Sequence, residues 1–282
     1  MQKFANLVSD SPLIEETIEM LRLRGGRAAV ELVADEVLHL PDLEPFVAAP
    51  IIDELIKDDW RMRIVDDAEV ELLCEDAECR ALAETDFVVV DVETTGPKTP
   101  GCRITEIGAY RVSRGRIVAE FQTLVNPKTN IPPFITHLTG ITDAMVKNAP
   151  LFRDIATDWL RFVDTAVLVA HNAPFDIRFI DHELARVFPG RRMANPHLCT
   201  VGLSRRIVPD IANHRLHTLA EHFSVPIRNR HRAAGDALAT AEVFLLLLEL
   251  LRQHGVRDLA GARHFKLQTR KQHVARAWPQ VR

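Results

Sequence analysis

Apolar and polar positions recur with different periods along the chain, and each change of period marks an element. In "SPLIEETIEMLRLRGG" apolar residues return every three to four positions, the spacing of a helix with one buried face. Ser11 stands where an N-cap belongs, Pro12 suits the first helical position, and Gly25-Gly26 ends the run. "RAAVELVADEVLHL" predicts a second helix ending near Pro41. "VAAPIIDELIKDD" predicts a third, with Ile51, Ile52, Leu55 and Ile56 on one face. The period then shortens: "WRMRIVDDAEVELL" reads as two strands turning at Asp66-Asp67. Helices followed by a hairpin give residues 1–84 a winged-helix-like reading, and "CEDAECRALAET" forms a polar joint to the rest of the chain.

Beyond residue 84 the pattern changes again. Phe87 to Val90 is a continuous apolar run, as in a strand covered on both faces. "CRITEIGAYRVSRGRIVAEFQTLVNP" adds two strands turning at Arg114-Gly115. "APLFRDIATDWLRFVD" is an amphipathic helix and "AVLVAHNA" another apolar strand. "FDIRFIDHELARVF", "RLHTLAEHF" and "AAGDALATAEVFLLLLELL" are helical. An antiparallel start followed by alternating helix and strand predicts an α/β fold with a mixed sheet flanked by helices over residues 85–252. Residues 253–282 are expected to be a basic, partly disordered tail, either solvated or in contact with phosphate.

Composition adds one feature. The 282 residues are 47% hydrophobic and 26% charged, ordinary for a globular protein, with a net charge of −4. That figure hides an asymmetry. Residues 1–84 hold 8 Lys and Arg against 21 Asp and Glu, a net of −13, and the remainder carries +9. The basic part is the candidate for a polyanion and the acidic part for a protein partner, although the split would also help the two parts dock on each other. Asp53, Glu54, Asp58 and Asp59 on or just after the third helix argue against its touching phosphate. "MQKFANLVSDSPLIEE" lacks the apolar core of a secretory signal, and "VFLLLLELL" is interrupted by Glu249 and too short to span a bilayer. A cytoplasmic protein without a membrane partner is expected. Cys74, Cys79, Cys102 and Cys199 form no CxxC pair and are read as reduced thiols.

The chemistry lies at the end of the first core strand. In "FVVVDVETTG" alternation puts Asp91 and Glu93 on one side of a strand with no Lys or Arg in the stretch to neutralise them. Asp176 falls where the helix after "VAHNAPF" begins, and Asp236 in the first turns of the helix after "HRAAG"; each alone could be a residue favoured by the helix dipole. His231 is five residues before Asp236, which would put it on a different helical face, so it is expected on the preceding loop. Four carboxylates from one strand and two helix starts suit two Mg²⁺ or Mn²⁺ ions rather than zinc, and an imidazole has the pKa to take a proton from water near neutrality.

"DVETTG", "HNAPFD" and "HRAAGD" resemble the three exonuclease motifs of the DEDDh 3′→5′ exonucleases, with closest similarity to the proofreading ε subunits of bacterial DNA polymerase III. "LVNPKTNIPPFITHLTGIT" and "HTLAEHF" resemble segments between those motifs, so the resemblance covers roughly residues 86–250 and leaves out the N-terminal unit. It implies a ribonuclease-H-like fold and a metal-dependent exonuclease that releases nucleoside 5′-monophosphates from single-stranded DNA ends, with RNA the alternative substrate and an inactive scaffold the rival of a different class. It further implies that Asp91 bridges two metals, that Glu93 and Asp236 hold the first, that Asp176 supports the second, and that His231 is the general base. Thr94, Thr95 and Gly96 would hold the terminal nucleotide; Leu138, Thr139, Gly140 and Ile141 would pack under its base. His171, Asn172 and Phe175 would shape the remaining pocket, and a DNA polymerase is a possible partner of the acidic unit. His214, His217 and His222 are read as surface or packing residues.

Overall fold

The computed structural model describes residues 4–73 and 80–267. Residues 74–79, the first half of the polar joint with Cys74 and Cys79, and residues 268–282 of the basic tail lie outside the described residues.

A short strand, β1 (Leu7–Ser9), precedes helix α1 (Pro12–Leu23), which starts after Ser11 and stops before Gly25 and Gly26, both at positive φ. The second predicted helix is shorter than its periodicity implied. Residues Arg27–Ala29 form strand β2, and only Val30–Glu36 are helical, as α2. Helix α3 (Pro45–Ile56) follows, then the hairpin of β3 (Met62–Val65) and β4 (Glu69–Leu72), which turns at Asp66 and Asp67 as expected. Strand β4 lies between β2 and β3, and the three helices pack on this small sheet around Ile14, Ile18, Leu21, Val33, Ile52 and Val70. The predicted face of α3 is corrected: Ala48, Ala49, Ile52 and Ile56 turn inward and Ile51 outward. Pro50 lies inside this helix, and apolar residues stand on both its buried and its exposed face, so periodicity alone misplaced the buried stripe.

The second sheet has the order β10-β8-β5-β6-β7. Strand β5 (Phe87–Thr94) is central, antiparallel to β6 (Ile104–Ser113), which pairs with β7 (Arg116–Leu124) through the expected turn at Arg114 and Gly115. Two short helices, α4 (Pro133–Thr139) and α5 (Asp143–Val146), precede α6 (Phe152–Val163). Strand β8 (Val167–Ala170) runs parallel to β5 and leads into α7 (Ala173–Val187). Strands β9 (Arg191–Met193) and β10 (His197–Cys199) follow, then α8 (Thr200–Ile207), α9 (Leu216–His222), the long α10 (Ala233–Gln253) and α11 (Leu259–His264). The central strand is covered on both sides: Val88, Val90 and Val92 face a core with Trp159, Leu160, Phe179 and Ile180 of α6 and α7. Phe87 and Val89 face Phe244 and Leu247 of α10. Within the stretch expected to be tail from residue 253, Leu259 and Ala262 of α11 are buried in this second core.

The acidic unit is attached to the larger one at several points. Strand β1 pairs antiparallel with β9, Leu7 enters the α6–α7 core, and the buried Asn6 amide donates to the Leu160 carbonyl at 2.9 Å. Arg61, 8% exposed, donates to Asp59 at 2.8 Å and to Glu15 at 3.0 Å, and Glu15 also accepts from Arg192 of β9 at 2.5 Å. Arg191 donates to the Asp58 carbonyl at 2.7 Å. The 11 residues of α7 that follow Asp176 carry the chain about 17 Å along the helix before β9 begins, so this seam lies away from the acidic constellation.

Candidate active site

Strand β5 outlasts its parallel neighbour. Its pairing with β8 ends at Val89↔Val169, while its pairing with β6 continues through Asp91↔Gly108 and Glu93↔Glu106 to Thr94. Above Val89 the strand therefore has an open edge. Asp176, in the first turn of α7 and 3% exposed, occupies that edge: its Oδ1 accepts from the Val92 N–H at 3.1 Å. On the same face of β5, Asp91 and Glu93 meet Asp236 from the first turn of α10, and one oxygen from each lies within 4.8 Å of the others.

The approach of α10 depends on two glycines. A Cβ on Gly108 would lie 2.3 Å from the Ala234 nitrogen, and one on Gly235 would lie 2.0 Å from the Arg228 carbonyl oxygen. With bare backbone at both positions the start of α10 rests on β6, and the loop carrying His231 folds over α10. His231 precedes the helix on that loop, as expected, with φ of +60°, and its N–H donates to Asp236 Oδ2 at 3.1 Å. Its side chain, half-buried, lines an open cavity of about 210 Å³ with Arg215, Leu216, His217, Ile227, Arg230 and Asp236.

Among the described residues, none of Asp91, Glu93, Asp176 and Asp236 forms an ion pair. Burial raises all four carboxyl pKa values. Asp91 is pushed well above the usual range by burial and then by Asp176, Glu93, Asp236 and Glu106. Burial, then Asp236 and Glu106, lifts Glu93 to about 7; burial lifts Asp176 to about 8 against the Val92 hydrogen bond. Asp236 is raised mainly by burial. Crowded carboxylates without a counter-charge fit a divalent cation: a hard ion with oxygen ligands removes both the desolvation cost and the repulsion.

Sequence reasoning missed the neighbours that hold this arrangement. Glu106, 1% exposed, accepts from Arg232 at 3.0 and 2.7 Å and from the Ala233 N–H at 2.9 Å, fixing the residues between His231 and Asp236. Glu183, 1% exposed, accepts from Arg103 at 2.6 and 2.7 Å. Arg103 in turn exchanges backbone and side-chain hydrogen bonds with Thr95 at 2.8 and 3.0 Å. The one local signal was "TEIGA", in which an acidic residue interrupts an apolar strand two positions before a glycine.

Thr94, Thr95 and Gly96 are buried in the turn that closes β5. The Thr94 hydroxyl donates to the Gly96 carbonyl at 2.8 Å, and a Cβ on Gly96 would strike the Cys102 sulfur at 2.7 Å. Leu138 is 50% exposed at the end of α4 and Gly140 caps that helix at φ +71°. Ile141 is fully buried with Ile131, Ile135 and Val146, and Thr139 is also buried and accepts from the Ile141 N–H at 3.1 Å. His171 Nδ1 lies 2.9 Å from the Thr200 hydroxyl, and burial lowers its pKa to about 4, so the ring is neutral. Asn172, exposed, begins α7 in the left-handed region, and the Phe175 ring packs 4.9 Å from Phe179.

Residues 88–244 match the exonuclease family RNase_T. The chain is 44% identical over 183 residues to a PolC-type DNA polymerase III of Caldanaerobacter subterraneus subsp. tengcongensis, covering 65% of this chain but 13% of that protein. It is 36% identical over 178 residues to the DNA polymerase III subunit epsilon of Aquifex aeolicus, covering 63% of this chain and 88% of that one. The chain thus spans a small part of the polymerase and most of the epsilon subunit. Among solved structures, the nuclease domain of 3′hExo, a DEDDh family member bound to rAMP, superposes with a TM-score of 0.52 at 18% identity over 60% of this chain and 94% of that one, a likeness of fold. No helix among the described residues is long and apolar enough to cross a membrane. A match over more than half of the chain, centred on the strand and helices that carry the acidic residues, places this protein in the exonuclease family.

Proposed function

We propose that the chain is a 3′→5′ exonuclease that hydrolyses the terminal phosphodiester of single-stranded DNA and releases nucleoside 5′-monophosphates. The observation that carries this reading is the convergence of Asp91, Glu93 and Asp236 within 4.8 Å, with Asp176 beside them and no cation paired to any of them among the described residues. Asp91 would be shared between two Mg²⁺ or Mn²⁺ ions, Glu93 and Asp236 would complete one site, and Asp176 would support the other. Bound divalent ions supply Lewis acidity at the phosphate and an acidified water. His231 takes the proton from the attacking water at a ring nitrogen; its loop sets the ring beside Asp236 and open to the cavity, where a phosphodiester has access. The Thr94–Gly96 turn holds the terminal nucleotide through its backbone, since the Thr94 hydroxyl is engaged internally. Leu138 and Gly140 face the base, supported by Thr139 and Ile141, and His171, Asn172 and Phe175 form the opposite wall.

Three helices on a three-stranded sheet support a winged-helix-like reading of the N-terminal unit, followed by an exonuclease unit that extends through α11 and borrows β1. The acidic composition of the N-terminal unit suits a protein contact, such as a polymerase, better than nucleic acid. The test of the activity is mononucleotide release from labelled DNA and RNA of matched sequence, with Mg²⁺, Mn²⁺ or chelator. Metal-dependent release from the 3′ end of DNA is expected. Equal or faster release from RNA would move the substrate to RNA, and release that survives chelation would overturn the mechanism.

A further inference from the structure

Two arginines of the cavity beside His231 have no anion. Arg215, at the start of α9, and Arg230 are exposed, and among the described residues neither side chain forms an ion pair or a hydrogen bond. Arg232, two residues further on, is by contrast held by Glu106. Asp236 is the one acidic residue that lines the cavity. Burial raises its pKa, and the charges of His231 and Arg230 oppose the rise. Arg230 thus lies within electrostatic reach of the acidic cluster without bonding to any member of it. Planar guanidinium groups left unpaired in a cavity that opens onto such a cluster suit the anion that a nucleic-acid strand carries there, a phosphate.

The sheet order shows which phosphate would arrive. Glu93 pairs with Glu106, and Glu106 with Leu124, so one row of residues crosses from the acidic cluster to β7. Leu124 packs against the cluster of Ile135 and Ile141, two strand spacings, about 10 Å, from Glu93. The Leu138–Ile141 segment therefore lies on the β7 side of the acids. On the other side of β5, β8 ends at Ala170 and is followed by His171, whose Nδ1 lies 2.9 Å from the hydroxyl of Thr200, just after β10. The charges of His214 and His217 add to the burial that lowers the His171 pKa, and His217 lines the cavity with Arg215 and Arg230. The acids thus stand between the segment proposed to take the terminal base and the two arginines. An oligonucleotide with its terminal base on the β7 side and its scissile phosphate at the acids continues toward β8 and β10, and its next phosphate meets Arg215 and Arg230.

We propose that Arg215 and Arg230 bind the phosphate one nucleotide to the 5′ side of the scissile bond. The proposal rests on the exonuclease reading and deepens it: the substrate is recognised by two successive phosphates, so an oligonucleotide is preferred to a mononucleotide ester. The test compares the full chain, wild type and Arg215→Gln/Arg230→Gln, on three substrates. The p-nitrophenyl ester of thymidine 5′-monophosphate has no second phosphate. A short oligothymidylate has one, and the same oligothymidylate with a neutral methylphosphonate at the linkage next to the scissile one has lost its charge. In wild type the methylphosphonate should raise KM about tenfold, the loss expected for hydrogen bonds to a charged group. The double variant should show a similar loss on the unmodified oligothymidylate, a much smaller one on the ester, and no further loss with the methylphosphonate. Losses that add would show that the arginines do not touch that phosphate and would overturn the proposal. Equal losses on ester and oligothymidylate would put the arginines at the scissile phosphate, and no loss would make them solvated cations only; either result overturns it. If wild type releases nucleotide from none of the three, the exonuclease reading fails separately. The same comparison read as oligothymidylate affinity, by fluorescence anisotropy in Ca²⁺, then decides the proposal: non-additive losses uphold it, and additive losses or absence of binding overturn it.

Discussion

The molecule contains two kinds of buried carboxylate, and their difference locates the chemistry. Glu106, Glu183 and Asp59 are each at most 3% exposed, and each has an arginine bonded through two nitrogens: Arg232, Arg103 and Arg61. They hold strands, helix starts and the seam between units. Asp91, Glu93, Asp176 and Asp236 are crowded together with no such partner among the described residues, and their pKa values are raised. Burial costs both groups several kcal/mol per charge, but only the first is compensated within the chain. Carboxylates left uncompensated mark where a cation from outside is expected. Arg232 sits at the boundary, close enough to Glu93 to lower its pKa yet held by Glu106.

Substitutions should separate the two groups. The largest effect is expected from Asp91→Asn: mononucleotide release falls to background while oligonucleotide binding persists, and the metal-free protein melts no lower than wild type, because a source of repulsion is gone. Activity near the wild-type level in saturating Mg²⁺ would show Asp91 to be dispensable. His231→Ala should lower turnover by on the order of 10²–10⁴-fold with metal affinity retained, measured by calorimetry, and the lower limb of the rate–pH profile should disappear. A parallel loss of metal affinity would make His231 a ligand. Arg103→Met should act in the opposite sense to Asp91→Asn. It leaves Glu183 buried without its cation, and urea unfolding should report a loss of about 3–5 kcal/mol, with turnover per folded molecule reduced far less than by His231→Ala.

A smaller effect with a clear sign is the pH dependence of stability. The raised pKa values mean that the folded state binds more protons than the unfolded chain. Without metal, this contribution is fully present below the ordinary carboxylate range and is lost as pH rises through about 7 for Glu93 and about 8 for Asp176. Asp59, lowered in spite of its burial by Arg61, contributes the reverse: its stability is present above the ordinary carboxylate range and is lost as pH falls through its depressed value. The metal-free melting temperature should therefore fall between about pH 6 and pH 9, and Mg²⁺ should remove most of that fall. A metal-free profile flat across this range would contradict the assigned shifts.

Much of the site was legible because its signals are local. Alternation alone put Asp91 and Glu93 on one side of a strand, and helical periodicity put Asp176 and Asp236 in first turns and His231 on a loop. What was missed depends on distance in sequence. Glu106 meets Arg232 126 residues away, Glu183 meets Arg103 80 residues away, and no window of periodicity spans such separations. Strands β1, β2, β9 and β10 have three residues each, too few to establish alternation, and β1 was assigned to the acidic unit although its partner lies in the other. Ile141 and Leu138 are close in sequence and equally apolar, yet one is buried and the other half-exposed, because the left-handed cap at Gly140 turns the chain between them.

The most direct test is a calorimetric titration of Mn²⁺ into metal-free wild type, Asp91→Asn and Arg103→Met at about pH 8, above the raised pKa of Glu93, where metal binding displaces the protons that the other raised carboxyls still hold. If the uncompensated carboxylates are the metal site, wild type and Arg103→Met bind two ions per chain with similar affinity, and Asp91→Asn binds neither measurably. Absence of binding to wild type, or binding to Asp91→Asn with unchanged affinity, would contradict the assignment and leave the four crowded carboxylates without an explanation.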